Sequence, residues 1–304
     1  MKKGIFIIIF LLAGRLILAQ TNEFAAIDSI QLFSKNLYDN SPDTLKKAMN
    51  QKVEQLLGEF LLMEQSVFFS FDSLRFLKSL PSGDGSFKIF TWAVPLMGDA
   101  FLYSGFVQVF GKGGSIKQVI KLENLPVETD LLKSYNSNNW PGAVYYKIIG
   151  LNYGKTKLYT LFGWQGSKPG MASRIIETLI FDENGTPVFG TPVFSDYSSK
   201  KLCRVIFKFT DKVPFQLSYE KQLIPGSKKK RQNMIVFNRL ISAQPDMGLS
   251  PGVKMPDYGT FDGFVFKKDS WHFMKDIDVR MPEQKSKSTN SPNELNLAPS
   301  TKKK

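Results

Sequence analysis

The sequence predicts a mainly β protein of the α+β class. We expect an antiparallel β meander that forms a large twisted sheet, a sandwich or a partly open barrel, with an N-terminal helical pair packed on it. Apolar residues recur at helical spacing only before residue 66, and beyond it short β-rich runs alternate with turn residues. Of the 304 residues, 42% are hydrophobic and 22% are charged, a globular composition that excludes wholesale disorder.

The first residues have the pattern of a secretory signal peptide. Lys2 and Lys3 form a basic start, Ile5–Ala13 is apolar, and Ala19 supplies the small residue before the expected cleavage site. Arg15 interrupts an apolar stretch that is already short for a bilayer, so an uncleaved membrane anchor is the less favoured alternative. No Cys follows the stretch, which argues against a lipoprotein. We therefore predict residues 1–19 as the signal, and a periplasmic or secreted mature protein with no transmembrane segment.

Residues 20–65 form the predicted helical segment. Ser41 followed by Pro42 is typical of a helix start, with Ser41 as the N-cap and Pro42 as the first helical residue. Leu45–Phe60 then places apolar residues three and four positions apart, which makes one apolar stripe. Because that stripe needs a surface to cover, we expect two amphipathic helices docked on a sheet.

Residues 66–282 are predicted as an antiparallel β domain. The connections are short and most contain Gly, Asn, Asp or Pro, and short connections cannot join parallel strands. Many strands are apolar on both faces, so either the helices or a second sheet must cover the second face. The predicted strands are Phe87–Val94, Phe101–Phe110, Ile116–Leu122, Val144–Leu151, Lys157–Trp164, Arg174–Phe181, Leu202–Thr210, Phe215–Glu220, Asn233–Ile241, Phe261–Lys267 and Ser270–Lys275.

The net charge of +13 is concentrated at a few places. Residues 283–304 are polar and end in three Lys, and we predict a disordered basic tail there. The run Lys228, Lys229, Lys230 and Arg231 forms a second basic cluster, and the rest of the body is close to balanced. This distribution excludes a broadly basic surface of the kind that binds nucleic acid.

One His and one Cys exclude a multi-His zinc site, a CxxC pair and internal disulfides. We therefore expect no metal and no cofactor. His272 is the only conventional general base, but it lies in a predicted strand and no GxSxG motif accompanies it, so a structural or surface His is favoured. Cys203 shares the apolar face of its strand with Val205 and Phe207, which favours an inert buried thiol. A single Cys in an exported chain favours a bacterial periplasm or exterior.

A pair of carboxylates could still hydrolyse glycosidic bonds without His or metal. Asp99, Glu177, Asp262 and Asp269 lie near predicted strand ends, although the spacing selects no pair among them. Turn residues of this kind are more often structural.

Three features could bind a ligand. Trp140 lies in a polar loop and Trp164 at a strand end, where an indole ring could stack on a sugar or could instead plug the end of the sheet. The run Lys228, Lys229, Lys230 and Arg231 could attract an anionic partner, or be a solvated hairpin tip.

Several aromatic and turn-forming stretches resemble a family of uncharacterised exported proteins of Gram-negative bacteria. The resemblance implies export and a single β-rich domain, and it implies no activity or catalytic residues. The stretches are Phe71–Leu74, Lys88–Trp92, Tyr145–Ile149, Leu158–Trp164, Phe181–Gly190 and Tyr258–Trp271.

The sequence thus predicts an exported, envelope-associated binding or scaffolding protein without enzymatic activity, whose partner is an envelope protein or a glycan. The alternative is a polysaccharide hydrolase that uses two carboxylates.

Overall fold

The computed structural model describes residues 25–124, 129–224, 227, 230–243 and 252–279. The predicted signal peptide, the basic tail, Lys228 and Lys229 lie outside the described residues. Helix α1 is described over residues 25–35, and α2 spans Asp43–Leu61. The expected cap of α2 is wrong by one residue, because Pro42 has an extended ψ of 148° and is itself the N-cap. Ser41 instead donates its backbone N–H to Asp39 Oδ1 at 2.9 Å.

The strands account for about half of the described chain, and every predicted strand overlaps an observed one. They are β1 (Lys78–Pro81), β2 (Phe87–Pro95), β3 (Phe101–Phe110), β4 (Ile116–Leu122), β5 (Tyr135–Asn136), β6 (Val144–Tyr153), β7 (Thr156–Gln165), β8 (Met171–Phe181), β9 (Pro187–Phe189), β10 (Phe194–Ser195), β11 (Arg204–Thr210), β12 (Leu217–Leu223), β13 (Arg231–Ser242), β14 (Lys254–Lys267) and β15 (Ser270–Met274).

These strands form three sheets. The front sheet has the order β1-β2-β3-β4, and the back sheet has the order β10-β15-β14-β13-β12. Between them, the middle sheet has the order β5-β9-β8-β7-β6, with β11 also paired to β8. Among the described strand pairs only β10 and β15 run parallel, so the antiparallel meander is confirmed with one exception.

The sheets stack because their strands are apolar on both faces. In β2, Phe90 and Trp92 face a cluster that includes Ile30 and Leu57 of the helices, whereas Phe87 faces the middle sheet. On the far side of the middle sheet, side chains of β7, β8 and β11 pack against those of β13, β14 and β15. The mainly β, α+β class is confirmed, and of the three expected architectures the sandwich is the observed one, since none of the sheets closes into a barrel.

Polar contacts fix α2 on the front sheet. The buried Asn50 accepts a hydrogen bond from Trp92 Nε1 at 2.7 Å and donates to Ser104 Oγ at 2.8 Å. None of the helices among the described residues is both long enough and apolar enough to cross a membrane.

One edge strand of each of the three sheets lies along the same side of the molecule. These are β1 of the front sheet, β6 of the middle sheet and β12 of the back sheet. Tyr146 of β6 lines one cavity with β1 and a second cavity with Leu217 of β12. Lys147 of β6 also lies over the Tyr219 ring of β12, with Nζ 6.0 Å from the ring centroid. We call this side, formed by β1, β6 and β12, the edge wall.

Candidate functional site

Trp140 does not fit the binding role considered for it. The side chain is completely buried between the front and middle sheets, and its Nε1 donates to Tyr145 Oη at 3.0 Å. Because no face of the indole reaches solvent, Trp140 fills the core, which is the other role considered for it.

The basic run is described only in part. Lys230 is exposed, and its backbone N–H donates to Ser227 Oγ at 2.9 Å. Arg231 is the first residue of β13 and pairs with Leu223 of β12. Lys228 and Lys229 lie outside the described residues, so binding of an anion by this run stays a prediction.

Trp164 lies half-buried near the end of β7, the strand next to β6 of the edge wall. Its ring packs edge-on against Phe101, with centroids 5.3 Å apart and an interplanar angle of 89°. It lines a cavity of about 340 Å³ between the middle and back sheets, together with Tyr146, Arg174, Phe215 and Leu217. We call this the stacking cavity.

A β-bulge directs Tyr146 into this site. Tyr145 pairs with Gly163 and Lys147 with Phe162, so Tyr146 is the extra residue in β6 and has no partner in the register. Bulges bend a strand and re-aim one side chain, and they occur often beside binding sites. Tyr146 is 37% exposed, and burial raises the pKa of its phenol. Like any phenol, its hydroxyl is a hydrogen-bond donor at neutral pH.

Arg174 supplies the charge in the stacking cavity. It pairs directly with Trp164 across β7 and β8, which places both side chains on the same face of the sheet. Its Nη1 donates to Ser173 O at 3.0 Å, and among the described residues it forms no salt bridge. A guanidinium beside an indole and a phenol offers several N–H donors next to two stacking surfaces.

A second cavity of about 550 Å³ adjoins the first and shares Tyr146 as a wall. It lies between β1 and the turns that precede it, and we call it the cationic cavity. Arg75, Lys78 and Lys88 line it, and among the described residues Asp72 is the only carboxylate in its lining. Phe69 and Phe71 form apolar parts of its surface.

The four carboxylates considered for hydrolysis lie apart from both cavities. Glu177 is completely buried and bound by Arg204, and Asp262 accepts two hydrogen bonds from Arg239. Asp99 and Asp269 are in left-handed turn conformations, with φ of 60° and 59°.

Two other carboxylates do lie in one cavity, of about 260 Å³, beside α2. Glu54 and Glu123 both contact Lys121 Nζ at 3.0 Å. Burial alone would lower the pKa of Lys121, but its hydrogen bonds to the two glutamates raise it. The ammonium group of Lys121 thus lies between the two carboxylates, whereas a glycoside hydrolase holds the scissile bond between its two carboxyl groups.

His272 and Cys203 take structural positions. His272 Nδ1 lies 2.8 Å from Asp196 Oδ2 on the surface. Ser195 of β10 lies opposite His272 of β15 in the strand register, and its Oγ is buried. Cys203 is buried, as predicted. In the described part of the chain no group of three His, Cys, Asp or Glu side chains converges on a metal position.

Among the residues that line the stacking cavity, Trp164 was a candidate from the sequence and its neighbours were not. Tyr146 and Arg174 lie in predicted strands, and the β-bulge that re-aims Tyr146 leaves no mark in the sequence. Three cations of the cationic cavity come from a turn and two different strands, so they form no charge cluster in the sequence. They are Arg75, Lys78 and Lys88.

Similarity to known proteins does not extend this picture. No protein-family model matches the chain, and neither does any curated protein or solved structure. The resemblance to exported Gram-negative proteins stays a prediction.

Proposed function

We propose that this is an exported binding protein of the bacterial cell envelope, without enzymatic activity, whose ligand is a glycan held at the edge wall. One observation carries the proposal: the indole of Trp164, the phenol of Tyr146 and the guanidinium of Arg174 line one cavity that opens between two sheets. The signal-like N-terminus supports export.

The chemistry of the stacking cavity suits a sugar ring. A pyranose has an apolar face of C–H groups and a rim of hydroxyls, so it needs a flat apolar surface with hydrogen-bond donors at its edge. Trp164 provides the surface, and its edge-on contact with Phe101 fixes the ring orientation before a ligand arrives. Arg174 and the Tyr146 hydroxyl provide the donors.

The absence of a carboxylate from the lining of the stacking cavity supports binding rather than hydrolysis. The cavity is lined by Tyr146, Trp164, Arg174, Phe215 and Leu217, none of which is acidic. Among the described residues, none that lines this cavity has a carboxyl group to act as the general acid for a stacked sugar.

The test uses the mature protein, from Gln20 onward, and a panel of soluble polysaccharides in affinity electrophoresis and titration calorimetry. We expect Trp164→Ala to weaken binding by about tenfold or more, since truncation of an anchoring Trp is typically that costly. The matched control is Tyr258→Ala, which removes an aromatic ring that is 70% exposed and lies in neither cavity.

Two outcomes would overturn the proposal. One is that no polysaccharide binds, or that Trp164→Ala and Tyr258→Ala behave alike. The other is release of new reducing ends during incubation, which would identify a hydrolase. Circular dichroism of each variant ensures that a loss of binding reflects the site and not the fold.

A further inference from the structure

The two cavities of the edge wall differ in charge. The stacking cavity holds one cation, Arg174, whereas Arg75, Lys78 and Lys88 line the cationic cavity. The one carboxylate there, Asp72, accepts a hydrogen bond from Ser70 Oγ at 2.7 Å. Among the described residues none of the three cations forms a salt bridge, so the cavity carries an excess of positive charge.

Of the three cations in the cationic cavity, Lys88 would gain most from a nearby negative charge. Its Nζ donates to Val67 O at 3.1 Å and lies 5.6 Å from the Phe71 ring centroid. The side chain is half-buried, and burial lowers the pKa of its ammonium group. A partly desolvated ammonium with three donors and one protein acceptor gains strongly from a nearby anion.

The cationic cavity and the stacking cavity share one lining residue. Tyr146 is exposed at the bulge and lines both. A chain of sugar units with a ring on Trp164 would therefore reach the cations of the second cavity by passing Tyr146.

We infer that the edge wall binds an acidic oligosaccharide of at least two units, one stacked on Trp164 and the next placing an anionic substituent among Arg75, Lys78 and Lys88. The inference rests on the proposed glycan binding and adds the class of ligand. A carboxylate of a uronic acid and a sulfate ester share the required chemistry.

The experiment measures affinities by calorimetry for three soluble probes: oligogalacturonate tetramers, the same tetramers with methyl-esterified carboxyl groups, and a sulfated tetrasaccharide. The ester has the same backbone without the charge, so the ratio of acid to ester affinity isolates the anion. We expect a ratio of about ten or more in the wild-type protein, because a hydrogen bond to a charged group contributes on that scale. Comparison with the sulfated probe assigns the preferred anion.

Variants then locate the anion. Lys88→Met should bring the ratio close to one, and Lys88→Arg should restore it. Arg75→Gln should lower the ratio without risk to the fold, because Arg75 is exposed. The control is Lys112→Met, which removes an exposed cation of the β3–β4 hairpin outside both cavities.

The outcomes separate this inference from the proposed function. If acid and ester bind equally and both depend on Trp164, the acidic class is wrong and glycan binding stands. If Lys88→Met combined with Arg75→Gln leaves the ratio unchanged, the anion lies elsewhere and the inference fails. If the acid binds through Lys88 while Trp164→Ala has no effect on any probe, the proposed stacking function fails.

Discussion

Arg204 Nε donates a hydrogen bond to Glu177 Oε1 at 2.6 Å, and both side chains are completely buried in the middle sheet. The same guanidinium donates to the backbone carbonyls of Asp130, Lys133 and Phe189. The other carboxylate oxygen of the glutamate accepts from Tyr145 Oη at 2.5 Å. One ion pair therefore holds β8, β11 and the chain around residues 130–133 together.

Loss of the arginine should destabilise the fold severely. Arg204→Met leaves Glu177 as a buried charge without its partner, and three carbonyls lose their donor. We expect a loss of about 3–5 kcal/mol in the free energy of unfolding, measured by urea denaturation. Glu177→Gln should cost less, because an amide oxygen still accepts from the guanidinium. A loss of under about 1 kcal/mol for Arg204→Met would contradict the role of the pair.

Gly190 lies against this arginine, and Gly170 is its natural control. Both have positive φ, 87° and 80°, so alanine at either position carries a backbone cost of about 1–2 kcal/mol. A Cβ at position 190 would also collide with Arg204 Nη2 and Cζ, whereas one at position 170 meets open space. Gly190→Ala should therefore lose about 1–3 kcal/mol more than Gly170→Ala in urea unfolding. Equal losses would show that Arg204 is free to move aside.

Asp84 connects the front and middle sheets in a pH-dependent way. Its Oδ2 accepts from Tyr159 Oη at 2.7 Å. Partial burial alone would raise the pKa of Asp84, but the hydrogen bonds from Tyr159, Ser86 and Ser82 lower it to about 2. Because the folded-state pKa is below the ordinary 3.8, the stabilisation is complete above that value and is lost as the pH falls towards about 2.

The stability difference between the wild-type protein and Asp84→Asn should consequently be constant from neutral pH to about pH 5 and shrink below about pH 4. Thermal unfolding across this range measures it. Tyr159→Phe removes the hydroxyl donor and moves the folded-state pKa of Asp84 back towards its ordinary value, so in that background the decline should be smaller and should end at a higher pH. An unchanged difference down to pH 2 would refute the assignment.

The long strands were predictable because each is a β-rich run that ends at turn residues. The short strands β1, β5, β9 and β10 were not, since two to four residues hold no periodic pattern. The division of the strands into three sheets could not be predicted from the sequence either. Phe189 and Phe194 end two identical pentapeptides in the sequence, yet the first packs between the front and middle sheets and the second between the middle and back sheets.

The candidate site was predictable only where one residue type carried the signal. Trp140 and Trp164 were both candidates, because an indole in a polar loop or at a strand end is conspicuous, but the fold buries Trp140 completely. Which of the two reaches solvent depends on the packing of the sheets. Tyr146 depends on a bulge, and Lys88 on the position of the turns before β1, and both are properties of the tertiary structure.

The reactivity of the Cys203 thiol should measure how often residues 130–133, which Arg204 holds in place, move away from it. Its Sγ lies 3.3 Å from Leu132 O, its backbone N–H donates to Leu131 O at 2.8 Å, and burial raises the pKa of its thiol. Reaction with a thiol reagent at pH 8 should therefore be slower than in urea-unfolded protein by roughly a hundredfold or more. Arg204→Met should accelerate labelling of the folded protein, because residues 130–133 lose the guanidinium contacts that keep them over the thiol. The control is Lys112→Cys in a Cys203→Ser background, which should label rapidly in both states. Rapid labelling of native wild-type protein would mean that the segment over Cys203 opens without unfolding of the middle sheet.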